Sequence, residues 1–430
     1  MNASALVIGA GFAGMSAAVY LAQSGVRVTV LEQAPRPGGR AYSFRDKATG
    51  DMLDNGQHLL MGCYRETLDF LKILGTRDAL EQLPARAVWI SPGGKKYSYD
   101  PGAGDSRAGA LPGLMKLGSI GWWDKLMLIR ALGKMERLPE DGIAGLNAIS
   151  CAEWLHDLKQ PPRVVDRFWK PLLVSALNEE PDRASADGLA VVVKNALLGN
   201  SQARRFLVPG DSLSGLFEGA FDDFLRNRGG EVVYRSRVER LNIEQGMAYG
   251  GDRDYGGDVI ISAVPPHVLS ALVPEAMDAF EYSPIVSCYL FLKEKVLEER
   301  MAGLLESSWD WVFSKDMDKG KCRQRLCLVR SAAREFAAMD REALVENAIR
   351  TLEDFIPGFS REMVIHSQVI KEKRATVSLE PGSNEKRPAS DALGGRLFLA
   401  GDWTATGYPA TIESAVLSGR LAAQAVGYKE

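Results

Sequence analysis

The stretch from Ser4 to Gln33, SALVIGAGFAGMSAAVYLAQSGVRVTVLEQ, decides the fold. Residues 4–9 are a short apolar run that predicts a buried strand. Residues 12–24 are rich in small and apolar side chains and predict a helix, which Gly25 stops. Residues 26–31 predict a second strand, and the three pieces form a βαβ unit of about 30 residues. Gly9 and Gly11 stand between the first strand and the helix, whose start carries Phe12, Ala13 and Gly14. Gly9 permits a tight turn, Gly11 lets backbone approach a pyrophosphate, and Gly14 lets the helix pack closely on the strand. The helix N-terminus adds free N–H groups and the positive end of its dipole. Glu32 ends the second strand, where a carboxylate can accept hydrogen bonds from ribose hydroxyls, and Gln33 stands beside it. A glycine-rich turn alone is weak evidence. Strand, glycines, helix, strand and acid in this order predict a dinucleotide site in a Rossmann-like α/β domain.

Outward from this unit, 430 residues are too many for one core and predict two domains. The formal net charge of −3 gives no global reason to expect a nucleic-acid partner. The five cysteines (63, 151, 288, 322 and 327) form no CxxC pair, which suits a reducing cytosol better than a disulfide scaffold. His58, His156, His267 and His366 lack metal-ligand spacing, so no metal is expected. Met1 to Val26 carries no charge, yet the glycines and the missing basic region argue against a signal peptide and for a folded, retained segment. No later run has the roughly 20 apolar residues of a membrane span.

Further along, helices are expected at 64–75 and 111–137 and through 150–198, with strand pieces around a Gly93-Gly94 turn and a loop at 101–113. Residues 231–243, carrying Val238, predict one strand, followed by a Gly250-Gly251 hairpin and a strand at 258–264. Strands at 285–293, 326–331 and 397–401 and helices at 340–356 and 410–426 complete the pattern. This layout predicts a nucleotide-binding domain made of 1–65, 205–270 and 390–430. An α+β domain of 66–204 and 271–389 is inserted between them.

Pro37-Gly38-Gly39-Arg40 follows Glu32 closely, and Leu399-Ala400-Gly401-Asp402 precedes Pro409-Ala410-Thr411-Ile412-Glu413-Ser414-Ala415. On these residues the chain resembles the flavin amine oxidase and phytoene desaturase superfamily. The resemblance implies FAD as cofactor. It places Gly39 and Arg40 over the pyrophosphate, Gly401 and Asp402 near the ribityl chain, and the backbone of Val238 at the adenine. It places Ala410, Thr411, Ile412 and Ala415 at the helix under the flavin ring, where backbone donors at 411 and 412 would stabilise charge on the pyrimidine edge. No cysteine lies in that segment, so the flavin is expected to be non-covalent. No second fingerprint follows a strand, which argues against a dedicated NAD(P)H domain.

The segment Asp54-Asn55-Gly56-Gln57-His58, running on to Tyr64, is unlike typical amine oxidases. With Gly401-Asp402-Trp403-Thr404 it is similar to the hydroxysqualene dehydroxylases, squalene-associated flavoenzymes of bacterial hopanoid synthesis. The resemblance is specific at the chain ends and diffuse in the middle. It implies a long isoprenoid substrate, with hydroxysqualene reduced to squalene and water lost. Removing an allylic hydroxyl calls for a proton donor and an apolar pocket. His58 is the candidate acid because histidine titrates near neutrality, with Asp54 and Tyr64 behind it. Gly56, Gln57 and His58 are also candidates for flavin contact, and His58 for a purely structural hydrogen bond. Residues 111–137 combine Lys116, Lys125, Arg130, Lys134 and Arg137 with Trp122 and Trp123, a pattern that suits either a membrane interface or a helix packed on its own core. The expected location is the cytoplasm, with peripheral contact at the inner face of the cell membrane. The rival readings are a carotenoid-type desaturase, an amine oxidase with Trp403 and Tyr408 as an aromatic cage, and a non-enzymatic escort of prenylated proteins. The intact glycine set, Glu32 and Gly401-Asp402 argue against the escort.

Overall fold

The computed structural model describes residues 3–84, 86–100, 111–251, 253–274, 280–317 and 322–427. The opening unit is β1 (Ser4–Ile8), α1 (Phe12–Gln23) and β2 (Arg27–Glu32). Its two strands enter a five-stranded parallel sheet in the order 231–234, β2, β1, 259–262, 397–399. Three distant stretches of chain therefore build one sheet, whose central strands are near-continuous apolar runs buried on both faces. α1 buries every residue from Phe12 to Ala22 and packs against the C-terminal helix Ile412–Val426. That contact depends on a small residue, because a Cβ on Gly419 would lie 2.2 Å from the Ala13 carbonyl oxygen. The Ser16 hydroxyl donates to the Val416 carbonyl at 2.7 Å across the same contact.

A seven-stranded sheet runs in the order 364–377, 282–292, 324–330, 311–316, 301–304, 87–91, 95–99. All pairs are antiparallel except 301–304 with 87–91. Strand Tyr282–Leu292 shows the two-residue alternation that sorts its faces. Cys288, Leu290 and Leu292 point into a core shared with helix Arg341–Phe355, while Tyr289 and Phe291 point to the other face, against Leu53. Residues 111–198 are helical and close over a third core that includes Trp154 and Trp169. α2 (Arg65–Leu74) sends Phe70 and Leu71 into the same core as α1, and Gly75 ends it in the left-handed region.

Two expectations from sequence are corrected. Residues 111–137 form two helices, α3 (Leu111–Lys116) and α4 (Trp122–Glu136), because Gly118 and Gly121 interrupt the run and the Asp124 carboxylate accepts the Gly121 N–H at 3.0 Å. Residues 231–243 are not one strand. Glu231–Tyr234 joins the parallel sheet and Arg240–Asn242 joins a separate three-stranded one. Arg235, in the left-handed region at φ 56°, breaks the strand, so Val238 lies in the connection between the two pieces. The strands 301–304, 311–316 and 364–377 add to the elements expected, and the loop at 101–113 lies outside the described residues up to 110.

Candidate active site

The βαβ turn has the geometry of a pyrophosphate cradle. Gly9 sits at φ 99°, and its N–H donates to the Leu31 carbonyl at 2.8 Å. A Cβ on Gly14 would stand 1.9 Å from the Gly9 carbonyl oxygen, so only glycine lets the helix start this close. The first backbone bond of α1 runs from Met15 to Gly11 and no side chain caps the turn, which leaves the N–H groups of Phe12, Ala13 and Gly14 for a ligand. Glu32 is buried and fixed: one carboxylate oxygen accepts the Ala10 N–H and the other the Ala34 N–H, each at 2.7 Å. Each oxygen keeps a further lone pair for a ribose hydroxyl. Gln33 is exposed, and Val238 is buried in one apolar cluster with Ile8 and Leu31. A β-bridge from Gly11 to Gly38, with the Gly38 N–H on the Ala10 carbonyl at 2.7 Å, holds the Gly38-Gly39 loop over the cradle. A Cβ on Gly11 would meet nothing nearer than the Gly39 Cα at 4.0 Å, so this glycine leaves open space beside the helix N-terminus. The residues present fit the pyrophosphate and ribose of FAD.

Arg40 and Asp402, read separately from sequence, meet in an ion pair at 2.6 Å. Arg40 also donates to the Ala375 carbonyl at 2.8 Å, which ties the loop to the long strand 364–377. Arg387, which the sequence reading missed, fixes the other side. Its buried guanidinium donates to the carbonyls of Asp402 (3.1 Å) and Tyr408 (2.9 Å) and to the Thr406 hydroxyl (3.0 Å), pinning the segment between Asp402 and the last helix. Burial lowers its pKa to about 10 despite the attraction of Asp402. Its only signal in sequence was a basic residue close to the Gly-Asp motif. Thr411 is the N-cap of the C-terminal helix and its hydroxyl accepts the Ser414 N–H. The first backbone bond there is from Ala415 to Thr411, so the Ile412 N–H is free at the helix start beside Ala410. Glu413 turns away and caps α2, accepting the N–H groups of Glu66 (3.0 Å) and Thr67 (2.9 Å) and the Thr67 hydroxyl (2.7 Å).

Asp54, Gln57 and His58 line one cavity with Leu83, Val208, Pro209, Phe313, Ser314 and Cys327, the acidic Asp211 and the cationic Arg300, Lys315 and Arg325. The loop that carries them is clamped from below. An Asp54 carboxylate oxygen accepts from the Ser43 hydroxyl (2.6 Å) and the Leu213 N–H (3.0 Å). The fully buried Tyr289 donates its hydroxyl to the Asp54 carbonyl at 2.9 Å and accepts from the Gln57 amide at 3.2 Å. Gly56 is buried under this loop, 3.8 Å from the Ser287 hydroxyl at its Cβ position. His58 Nδ1 lies 2.8 Å from the Gly56 carbonyl, which can only accept, so Nδ1 carries the proton and Nε2 is the acceptor of the neutral ring. Burial pushes the imidazole pKa below its ordinary value, and Asp54 only partly offsets this. Burial also raises the Cys327 thiol to about 12, so it stays protonated. Tyr64 stands apart, at the N-cap of α2, with its phenol pKa raised by burial and by the neighbouring Cys63 and Glu413. Tyr289, Arg325 and Cys327 escaped the sequence reading because they sit in ordinary-looking strands, and only tertiary pairing brings them under residues 54–58. Among the described residues no group of three or more His, Cys, Asp or Glu could hold a metal ion.

Both chain ends and the Gly-Gly-Arg loop converge on this single dinucleotide cradle, and the class they define is the FAD-dependent oxidoreductase. The family model for flavin-containing amine oxidoreductases matches residues 12–427, and the chain belongs to that family. Within it, the chain is 31% identical to a hydroxysqualene dehydroxylase of Sinorhizobium fredii, covering 97% of this chain and 96% of that protein. It is 28% identical to the hydroxysqualene dehydroxylase of Zymomonas mobilis over 97% of both. It is 23% identical to a 15-cis-phytoene desaturase of Synechococcus elongatus over 98% of this chain and 95% of that one. The fold is shared with a solved putrescine oxidase at a TM-score of 0.75 and 17% identity, covering 99% of each chain.

Proposed function

We propose that the protein replaces the hydroxyl of hydroxysqualene with hydrogen, giving squalene and water, in the supply of hopanoid precursors. Reduced FAD, held non-covalently, supplies the hydride. Segments 1–65, 205–270 and 390–430 hold the cofactor, and segments 66–204 and 271–389 shape the substrate site. Gly9, Gly11, Phe12, Ala13, Gly14 and Glu32 hold the adenosine diphosphate half, with Val238 at the adenine. Gly39, Arg40, Gly401 and Asp402 enclose the pyrophosphate and ribityl chain, and Thr411 and Ile412 face the flavin ring.

The observation that carries the substrate reading is the cavity at His58. Leu83, Val208, Pro209 and Phe313 give it apolar walls beside His58, while its charged lining is mixed, with Arg300, Lys315 and Arg325 set against Asp54 and Asp211. An aromatic cage from Trp403 and Tyr408 has no support. Trp403 is 1% exposed, and its indole N–H donates to the Val264 carbonyl within the core. His58 is assigned as the proton donor to the leaving hydroxyl, in its imidazolium form. Asp54 is assigned to holding the loop, since its carboxylate is engaged by Ser43 and Leu213. A substrate this apolar resides in a bilayer, so we place the protein in the cytoplasm in peripheral contact with the inner face of the cell membrane.

The test is anaerobic. The flavin is reduced, hydroxysqualene is added in detergent, and the expected result is flavin reoxidation with squalene formed. No reoxidation defeats the substrate assignment. Acid precipitation should leave all the flavin in the supernatant; flavin retained in the pellet defeats non-covalent binding.

A further inference from the structure

Four large apolar side chains are exposed among the described residues, and three of them share one helical turn: Trp122 (59% exposed), Trp123 (78%) and Leu126 (39%). They begin α4, whose buried residues Leu128, Ala131, Leu132 and Met135 all lie further along the helix and on one side of it. The first turn thus projects beyond the core that holds the rest. Trp123, Arg130, Lys134 and Arg137 are spaced seven, four and three residues apart, so the tryptophan and three cations share the outward stripe. Lys116, at the end of α3, is exposed as well. None of these four cations forms an ion pair or a side-chain hydrogen bond with a described residue, although the whole chain carries a net charge of −3. Asp124, the acid nearest the tryptophans, is occupied in capping Gly121. No helix among the described residues is long and apolar enough to cross a membrane.

We propose that the start of α4 docks the protein on an anionic lipid bilayer. Trp122, Trp123 and Leu126 enter the headgroup boundary, and Lys116, Arg130, Lys134 and Arg137 lie against lipid phosphates. A partner for this surface must be apolar at one end and anionic along the rest. An anionic bilayer has both properties, and indole rings favour its interface. Leu128, Ala131, Leu132 and Met135 belong to the protein's own core, so contact is confined to the tip and outward stripe of α4 and to Lys116 at the end of α3. The inference rests on the proposed isoprenoid substrate only for its purpose, delivery of an apolar molecule, and not for its geometry.

The experiment uses the FAD-loaded protein and sedimentation with vesicles of phosphatidylcholine, with and without about a third of phosphatidylglycerol. The protein is expected to bind the anionic vesicles at least tenfold more strongly than the neutral ones, with binding weakened by salt. Trp122→Ser/Trp123→Ser and, separately, Arg130→Glu/Lys134→Glu are each expected to lower that binding at least tenfold while keeping the flavin spectrum. Both should turn over hydroxysqualene normally in detergent and slowly from vesicles. The proposal is overturned if both variants retain wild-type binding or if the wild type binds no vesicles. The same holds if the protein is a dimer in solution that Trp123→Ser splits while vesicles fail to compete, since the surface then meets a second copy. If hydroxysqualene is not turned over even in detergent, the substrate assignment falls while vesicle binding still decides the docking surface.

Discussion

At the scale of single residues, the acid role proposed for His58 is the assignment most open to test. Its Nδ1–H is committed to the Gly56 carbonyl, and burial favours the neutral ring. The imidazolium is therefore a stronger acid than free histidine but a scarcer one at neutral pH. Its population grows as pH falls, so turnover should rise on acidification, with the limb below the ordinary histidine value of 6.5. A pH profile of single-turnover reoxidation reads this directly. His58→Asn should keep its flavin and lose about 100-fold in rate, within the usual span for a general acid. A profile flat from pH 5 to 7.5, or full turnover in the variant, removes His58 from the chemistry. Arg40 and Asp402 give a second test. The arginine side chain is 37% exposed, so the pair is partly screened and its worth is modest. Asp402→Asn should weaken FAD binding by about tenfold, or roughly 1.4 kcal/mol, measured by flavin titration of the stripped protein. Unchanged affinity would mean that the pair only shapes the loop.

At the scale of elements, the contact between α2 and the C-terminal helix is a reciprocal device. Glu413 stands in the first turn of one helix and satisfies the first N–H groups of the other, while Arg420 of the same helix pairs with Glu66 of α2 at 2.7 Å. Glu413→Ala should leave the Glu66 and Thr67 donors unpaired in a site where Glu413 itself is 1% exposed, costing about 2 kcal/mol of stability. A thermal melt should show the loss, and an unchanged melting temperature would mean that water replaces the carboxylate.

The elements also show where sequence is legible. β1, α1 and β2 were readable because three glycines, an acid and an apolar run each have a separate physical reason at fixed spacing. α4 was readable as a helix but not as two roles, core and projecting tip, because that division depends on where its neighbours end. The strand 364–377 was missed because VIHSQVIKEKRATV is polar, and as an edge strand with its side chains only partly buried it needs little apolar alternation. The strand at 231–243 was overread because Arg235 carries no sign in sequence that it takes a left-handed backbone. The same limit hid Tyr289 and Arg387, whose side chains fasten segments more than 100 residues apart in one case and about 20 in the other.

At the scale of the whole molecule, the proposed cofactor site is also the place where the chain closes. Residues 9–14, 32, 38–40, 401–402 and 411–412 come from the first tenth and the last tenth of the sequence. The strand 397–399 is an edge of the parallel sheet, and the C-terminal helix holds to α1 through Gly419 and Ser16. A ligand that bridges these parts binds the folded chain and not the unfolded one, so its binding free energy becomes folding free energy. At free FAD a hundredfold above its dissociation constant the gain is about 2.7 kcal/mol. Stripped protein should therefore melt at a lower temperature than holoprotein, and the melting temperature should rise with the logarithm of added FAD. Limited proteolysis should report the same coupling by position. Without FAD, cleavage should concentrate near the Gly38-Gly39 loop and in the 401–411 segment, and FAD should suppress both sites together. Protection of only one of them would mean that the two ends do not share the ligand, and the closed site inferred from Arg40 and Asp402 would have to be given up.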